Sequence, residues 1–269
     1  MNPVSLAGSS AESAPVRVLP LGDAALTVEF GSRIDPRIHA RVMGFAGALD
    51  EQAASGALDG VIEWVPTFRS VTVYFDPDRI DAEPLAQHLG ALAQRSRPRR
   101  IAGARWRIPV CFDAEFAPDL DELAAAKGLA REQVIALMTQ TVFRVYMLGF
   151  QPGFAYMGGL PEALEMPRLA SPRKRVPAGS VAVAQRMCAA YPWESPGGWR
   201  LLGRTPVPLF DPSDTARPAL LAAGDEVLWQ PVDRATFDAL RTRAASGSFD
   251  RAALRDAAAP GGSTSEATA

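Results

Sequence analysis

The side chains best suited to chemistry lie between Gly149 and Pro212, where basic residues and hydroxyls stand among turn-forming residues. Eight of the 22 glycines and ten of the 23 prolines fall in this segment, which is less than a quarter of the chain. The cations and hydroxyls beside these glycines and prolines are Arg168, Arg173, Lys174, Arg175, Arg204, Ser180, Ser195 and Thr205. Because guanidinium groups bind carboxylates and phosphates through paired hydrogen bonds, this mixture predicts a site for a small anion.

Backbone groups and aromatic rings of the same segment add to this prediction. Gly197 and Gly198 have no side chain to hold an anion away from their backbone N–H groups. A pocket or a partner surface is predicted from the remaining residues, which are Phe150, Gln151, Pro152, Gly153, Phe154, Tyr156, Pro177, Ser180, Trp199 and Thr205. Glycine and proline also form ordinary chain turns, so turn architecture stands as an equal alternative to an anion site.

Residue counts exclude several familiar chemistries. The two histidines, His39 and His88, and the two cysteines, Cys111 and Cys188, form no zinc motif, CxxC pair or disulfide framework, so no metal site is predicted. The sequence contains no P-loop or dinucleotide-binding glycine motif and no GxSxG elbow of a serine hydrolase. Two distant cysteines indicate reduced thiols in a cytoplasmic protein, with a single disulfide as the alternative.

Charge and hydropathy predict a soluble globular protein. The 269 residues are 48% hydrophobic and carry a formal net charge of −2, which argues against nucleic acid or an anionic membrane as a partner. No apolar run approaches the roughly 18 residues of a membrane span. Residues 1–15 predict a flexible leader and residues 244–269 a disordered tail.

Between these ends the pattern predicts two units, residues 16–97 and residues 98–243. The first unit has the order ββαββα, which is typical of an α+β domain with two helices on one side of a sheet. Its helices begin after Asp35 and Asp81, and they place His39 and His88 at exposed or half-buried positions. The basic segment Gln94 to Arg100 predicts a charged linker, which we favour over a phosphate-binding patch.

The second unit begins with the alternating strand Trp106 to Phe112 and continues with two helices. Asp119 and Glu122 have the spacing of a capping box at the first helix, and Gly128 ends it. After Phe143 the helical period disappears, and short apolar runs separated by glycine and proline predict a mainly-β, closed or nearly closed structure.

The ordered motifs of the glycine-rich segment resemble a known family. They read GFQPGFAYMGGLP, PRKRVPAGSVAVA, YPWESPGGWRLLGRTP and LFDP along the chain. The chain is identified as a member of the 5-oxoprolinase B-subunit family, also described as allophanate hydrolase subunit 1 and as the sporulation kinase inhibitor family. The resemblance is strongest over residues 143–212, and it implies a small N-terminal α/β domain followed by a cyclophilin-like β-barrel domain.

The resemblance also implies a function. Members of this family act as the B subunit of an ATP-dependent 5-oxoprolinase, which works with the C and A subunits to open 5-oxoproline to L-glutamate, with ATP and Mg²⁺ as expected cofactors. Catalytic residues stay unassigned, and the predicted binding residues are the cations named above with Ser195, Gly197 and Gly198. Two alternatives remain open, a binding protein that inhibits a histidine kinase and a carboxyltransferase subunit of an allophanate hydrolase or urea carboxylase system.

Two stretches depart from the family pattern. Met138-Thr139-Gln140 stands where similar sequences commonly carry His-Thr-Ser, and Gln185 to Ala189 replaces a Gly-x-Gln-Thr-Gly motif. The second change brings Met187 and Cys188 to positions that are polar in the family. Both changes predict a loss of hydrogen-bonding groups, which leaves open another substrate or a loss of autonomous catalysis.

Overall fold

The computed structural model describes residues 15–101 and 103–256 of the chain. They divide into two compact units between Arg100 and Ile101. Apart from Pro15, the predicted leader lies outside the described residues, as do residues 257–269 of the predicted tail.

The first unit contains a four-stranded antiparallel sheet and two helices in the predicted ββαββα order. Its elements are β1 (Arg17–Pro20), β2 (Ala25–Glu29), α1 (Pro36–Ala54), β3 (Val61–Pro66), β4 (Ser70–Phe75) and α2 (Ala82–Arg95), with the strands arranged β1-β2-β4-β3. Alternating side chains such as Val28, Val71 and Val73 are fully buried, and α1 and α2 contact β4 and β2. Period-two burial of this kind gives the sheet one apolar face for the helices.

The first helix begins as its sequence predicts. The Asp35 carboxylate accepts a hydrogen bond from the Arg37 backbone N–H at 2.7 Å, and Pro36 occupies the first helical turn. His88 is half-buried and lies 2.8 Å from the side-chain oxygen of Gln52. The predicted exposure of His39 is wrong, because its side chain is on the buried face of α1 and only 5% exposed.

The second unit is a nearly closed barrel. Its strands are β5 (Arg105–Val110), β6 (Phe143–Leu148), β7 (Ala155–Gly158), β8 (Arg173–Val176), β9 (Ser180–Ala184), β10 (Met187–Ala190), β11 (Ser195–Gly197), β12 (Arg200–Arg204) and β13 (Glu226–Pro231). Seven of them form one sheet in the order β12-β9-β10-β7-β6-β13-β5, while β8 pairs with β11. Two 2.9 Å backbone hydrogen bonds between Cys111 and Arg204 join the two ends of the long sheet. This mixed, nearly closed sheet fits the expected cyclophilin-like barrel.

Helices α3 (Leu120–Lys127) and α4 (Arg131–Gln140) contribute side chains to the core of the barrel unit. Gly128 ends α3, as the sequence predicts. Its φ of 65° lies in the left-handed region, which glycine adopts readily. Met138, at one of the departures from the family pattern, is fully buried in the same core as Val134. Its thioether therefore has a packing role in this chain.

Two expectations for the end of the chain are wrong. A helix follows the last strand, α5 (Arg234–Ala245), although no helix is predicted after Phe143. Residues 244–256 are also ordered, since a short 3₁₀ helix forms at Ala252–Leu254 and the Asp256 N–H donates to the Arg105 carbonyl at 2.8 Å. No helix in the described part of the chain is long and apolar enough to cross a membrane.

Candidate functional site

Several predicted residues meet at a small cleft beside the point where the barrel closes. Its volume is about 160 Å³. Its walls include Arg173, Arg175, Pro177, Ser180 and Arg204, all predicted from the sequence, together with Glu115, Phe116, Pro118 and Leu201. Because the volume is below the roughly 300–1,000 Å³ of sites for drug-sized molecules, this cleft is suited to a small ligand.

Arg204 is a cation of this cleft that forms no ion pair with any carboxylate in the described residues. Its Nε donates a 2.8 Å hydrogen bond to the Ala178 carbonyl, and its guanidinium lies 5.7 Å from the centre of the Phe116 ring. Burial lowers the pKa of this guanidinium, and the nearby positive charge of Arg241 lowers it further. Since arginine stays protonated in proteins, a half-buried and unpaired guanidinium favours an anionic ligand.

The other two arginines of the cleft are neutralised. Arg173 donates from Nη2 to Oδ1 of the buried Asp119 at 2.6 Å, and Oδ2 of Asp119 accepts the Leu201 N–H at 2.6 Å. The predicted capping box at Asp119 is therefore wrong, because this carboxylate joins β8 to β12 and makes no hydrogen bond to the start of α3. Arg175 forms an exposed ion pair with Glu194 at 2.8 Å.

The remaining predicted cations lie outside the walls of the cleft. Lys174 is exposed on β8, between the two paired arginines. Arg168 is exposed, and its guanidinium lies 5.8 Å from the centre of the Trp199 ring. The structure therefore separates the predicted charge cluster into one unpaired cation in the cleft, two paired cations and two that lie outside it.

The predicted hydroxyls have different surroundings. Ser180 donates to the Pro177 carbonyl at 2.7 Å, and the buried Thr205 oxygen accepts the Val207 N–H at 3.2 Å. The Ser195 oxygen is buried without a hydrogen-bond partner in the described part of the chain, as is the side-chain nitrogen of Gln151. Ser180 is thus the predicted hydroxyl that lines the cleft.

Five aromatic side chains form an aromatic cluster, which consists of Phe150, Phe154, Tyr156, Tyr191 and Trp199. The buried Phe154 ring is central, with the four other ring centres 4.9 to 6.1 Å away. Phe150 is 63% exposed and has a φ of 69°, a left-handed conformation that strains a residue with a side chain. Burial raises the pKa of the Tyr156 and Tyr191 hydroxyls, so both stay protonated near neutral pH.

The glycines near this cluster have roles in packing and in turns. A Cβ atom on Gly197 would clash with the Tyr191 hydroxyl, and Gly153 has a φ of 80° in the turn that follows Pro152. Gly198 accepts the Leu169 N–H through its carbonyl at 2.7 Å. Neither Gly197 nor Gly198 lines the cleft, so the structure explains both without an anion.

The two cysteines are free, as the sequence predicts, and both are buried. Burial raises the pKa of the Cys188 thiol to about 12 and also raises the pKa of Cys111. Because the thiolate is the reactive form, we expect neither thiol of the native protein to react rapidly with a coloured disulfide reagent at pH 8. Both should react in guanidinium chloride, and a fast-reacting thiol before denaturation would contradict this expectation.

Phe116 and Asp119 are among the residues that shape the cleft and that sequence reasoning misses. Both precede α3 and lie far along the chain from the glycine-rich segment, and the closure between Cys111 and Arg204 brings their region beside β12. A lone Phe and an apparent helix cap give no sequence signal of a site. The described residues contain no group of three or more His, Cys, Asp or Glu side chains that could hold a metal ion.

Comparisons with known proteins decide the family. The model of the carboxyltransferase domain, subdomain C and D, matches residues 16–221. The chain is 36% identical over 236 residues to the B subunit of 5-oxoprolinase from Bacillus subtilis, and the match covers 82% of this chain and 95% of the relative. The chain belongs to the 5-oxoprolinase B-subunit family. The membership predicted from the ordered motifs is therefore confirmed.

Solved structures place this family member among related folds. The protein TTHA0988 is 34% identical, with a TM-score of 0.66 over 78% of this chain and 40% of that chain. This family member therefore spans about two fifths of the length of TTHA0988. The urea carboxylase of Kluyveromyces lactis has a TM-score of 0.76 at 21% identity, over 87% of this chain and 23% of its own, which is a likeness of fold alone.

Proposed function

We propose that this chain is the B subunit of an ATP-dependent 5-oxoprolinase and that it acts with the C and A subunits to open 5-oxoproline to L-glutamate. The observation that carries the proposal is the 36% identity to a protein named as the B subunit of 5-oxoprolinase, over nearly the full length of that protein. The cleft at Arg204 adds a chemical reason, since it offers one unpaired cation to a small anion. The likeness to urea carboxylase concerns the fold, so we do not propose the carboxyltransferase alternative.

The substrate proposed here matches the cleft in charge and in size. 5-Oxoproline is a five-membered cyclic amide with one carboxylate, and the cleft of about 160 Å³ is suited to a small ligand. Arg204 uses Nε for the Ala178 carbonyl, which leaves its two terminal nitrogens to donate to the substrate carboxylate. Phe116 and Leu201 supply apolar surface for the methylene groups of the ring.

The role proposed for this chain is to bind and orient the substrate. Ring opening adds water to the amide carbonyl carbon, breaks the C–N bond and delivers a proton to the nitrogen, while ATP is hydrolysed to ADP and phosphate. Among the described walls of the cleft there is no histidine, the Ser180 hydroxyl already donates to the Pro177 carbonyl, and the Glu115 carboxylate is ion-paired with Arg234. We therefore assign the proton-transferring groups to a partner subunit.

The cleft does not fit ATP or Mg²⁺. It is too small for a nucleotide, and two of its three arginines are neutralised by carboxylates. Glu115, the acidic residue among the described walls, is ion-paired with Arg234, so the cleft offers no free carboxylate to a metal ion. We accordingly place the nucleotide and its metal outside this cleft.

Phe150, the exposed member of the aromatic cluster, is the proposed contact with a partner subunit. Phe150 is 63% exposed and stacks edge-on against the buried Phe154, with ring centres 5.3 Å apart. Exposed aromatic anchors of this kind are enriched at protein interfaces. The proposal also retains the two-domain arrangement that the family resemblance implies.

Reconstitution of the assembled enzyme tests this function. The chain is co-expressed with candidate C and A subunits, assembly is checked by size-exclusion chromatography, and glutamate release and ATP hydrolysis are measured with and without 5-oxoproline. We expect both activities to require all three chains and to occur in equal amounts. An assembled complex that releases no glutamate would refute the proposal, as would suppression of kinase autophosphorylation by the chain alone without any glutamate release.

A further inference from the structure

A second cleft lies in the first unit, and the proposed function does not use it. Its volume is about 590 Å³. One wall is the small-residue face of α1 at Gly44, Gly47 and Ala48, and the other carries Arg95, Arg97 and Arg99. We propose that this arginine cleft binds a small molecule that carries at least two neighbouring phosphate groups.

Backbone contacts hold the arginine-bearing segment against α1. The Arg99 N–H donates to the Ala40 carbonyl at 2.7 Å, and a Cβ atom on Gly44 would clash with the Arg97 carbonyl oxygen. At the start of the segment, both the N–H and the hydroxyl of Ser96 donate to the Leu92 carbonyl, at 2.9 and 2.7 Å. The segment is therefore a fixed wall of the cleft, whereas the sequence predicted a charged linker.

The three arginines project a net positive charge into the cleft. None of them forms an ion pair with a carboxylate in the described part of the chain, and Glu51 is the one acidic residue among the cleft walls. Arg97 and Arg99 are exposed, and both line the cleft on either side of Pro98. A ligand with several negative charges in one place compensates this arrangement.

Size and chemistry together favour a diphosphate over a simple carboxylate. The volume lies within the roughly 300–1,000 Å³ that is usual for small-molecule sites. Guanidinium groups bind phosphate oxygens in pairs, and adjacent phosphates allow neighbouring arginines to act on one ligand. Gly44 and Gly47 let the arginine-bearing wall lie close to α1, since the Arg97 carbonyl and the Arg99 guanidinium stand where side chains on these two residues would be. Because the arginines are exposed, the affinity should fall as salt is added.

Two matched variants of α1 test this proposal in the full chain, with inorganic pyrophosphate as the probe in isothermal titration calorimetry at low salt. Ala48→Glu adds a carboxylate at the wall of the cleft, while Ala53→Glu adds the same group to the same helix at an exposed position outside the cleft walls. We expect Ala48→Glu to weaken binding about tenfold or more, since it competes for charge-assisted hydrogen bonds, and Ala53→Glu to leave it within about twofold.

A replacement variant, a second ligand and a control at the other cleft complete the test. Should Ala48→Glu fail to fold in thermal melts, the double variant Arg97→Gln/Arg99→Gln takes its place, with Arg33→Gln as the exposed control. Comparable affinity for pyrophosphate and ADP supports recognition of the diphosphate, whereas binding of ADP alone overturns the proposal. It is also overturned if the wild type does not bind pyrophosphate or if both glutamate variants weaken binding equally. Arg204→Gln should leave this affinity unchanged, which separates the arginine cleft from the proposed substrate site.

Discussion

Replacing Arg204 with glutamine is expected to lower kcat/KM for 5-oxoproline in the assembled enzyme by about tenfold to a hundredfold. The change removes the charge-assisted hydrogen bonds proposed for the substrate carboxylate, which are worth about 1.5–3 kcal/mol. The effect should appear mainly in KM, because the substrate carboxylate undergoes no bond change in the reaction, so its contact with Arg204 contributes to binding of substrate and transition state alike. The fold should survive, since Arg204 closes the barrel through its backbone bonds to Cys111.

Two further variants separate charge from geometry at this position. Arg204→Lys keeps the positive charge and loses the planar donor fork, so its KM should lie between those of the wild type and Arg204→Gln. Arg186→Gln removes a 61% exposed arginine from outside the cleft and should leave KM unchanged. Steady-state kinetics over a range of 5-oxoproline concentrations, with a thermal melt of each variant, provide the measurement. Equal KM values for Arg204→Gln and Arg186→Gln would remove Arg204 from the substrate site.

Local signals in the sequence were sufficient for much of the fold. Asp35 followed by Pro36 marked the start of α1, and the apolar run from Ser180 to Ala184 coincides with β9. Helix α5 escaped prediction because Phe237 is its one fully buried side chain and charged residues surround it. A helix that buries so little apolar surface shows only a weak helical period of apolar residues in the sequence.

The site was predicted only in part, because the state of each cation depends on contacts between distant residues. Arg173 and Arg204 look equivalent in the sequence, but Asp119, which is 54 residues away along the chain, neutralises the first of them. Helical or strand periodicity contains no information about such a pair. Similarly, Gly197 looks like an anion-binding glycine until Tyr191 is found to pack against it.

Removal of the Asp225 carboxylate should destabilise the barrel more than any other change considered above. Asp225 is 3% exposed, and it accepts hydrogen bonds from the Trp106 indole at 2.8 Å and from the Ala104 and Ala222 N–H groups at 2.7 and 3.0 Å. Asp225→Ala leaves these three donors unsatisfied, each at a cost of about 1–3 kcal/mol, with water replacing some of the lost bonds. We expect a loss of about 3–4 kcal/mol in the free energy of unfolding.

The position of Asp225 explains why its loss should spread beyond three hydrogen bonds. It stands directly before β13, and Ala104 stands directly before β5, so its carboxylate holds the starting ends of two strands that pair in parallel. The far end of β5 leads into Cys111, whose backbone fixes Arg204. Asp121→Ala, which removes a 71% exposed carboxylate with one ion pair, is the control and should cost under about 1 kcal/mol. Urea unfolding followed by tryptophan fluorescence measures both, and equal midpoints for the two variants would show that the Asp225 carboxylate does not hold this seam.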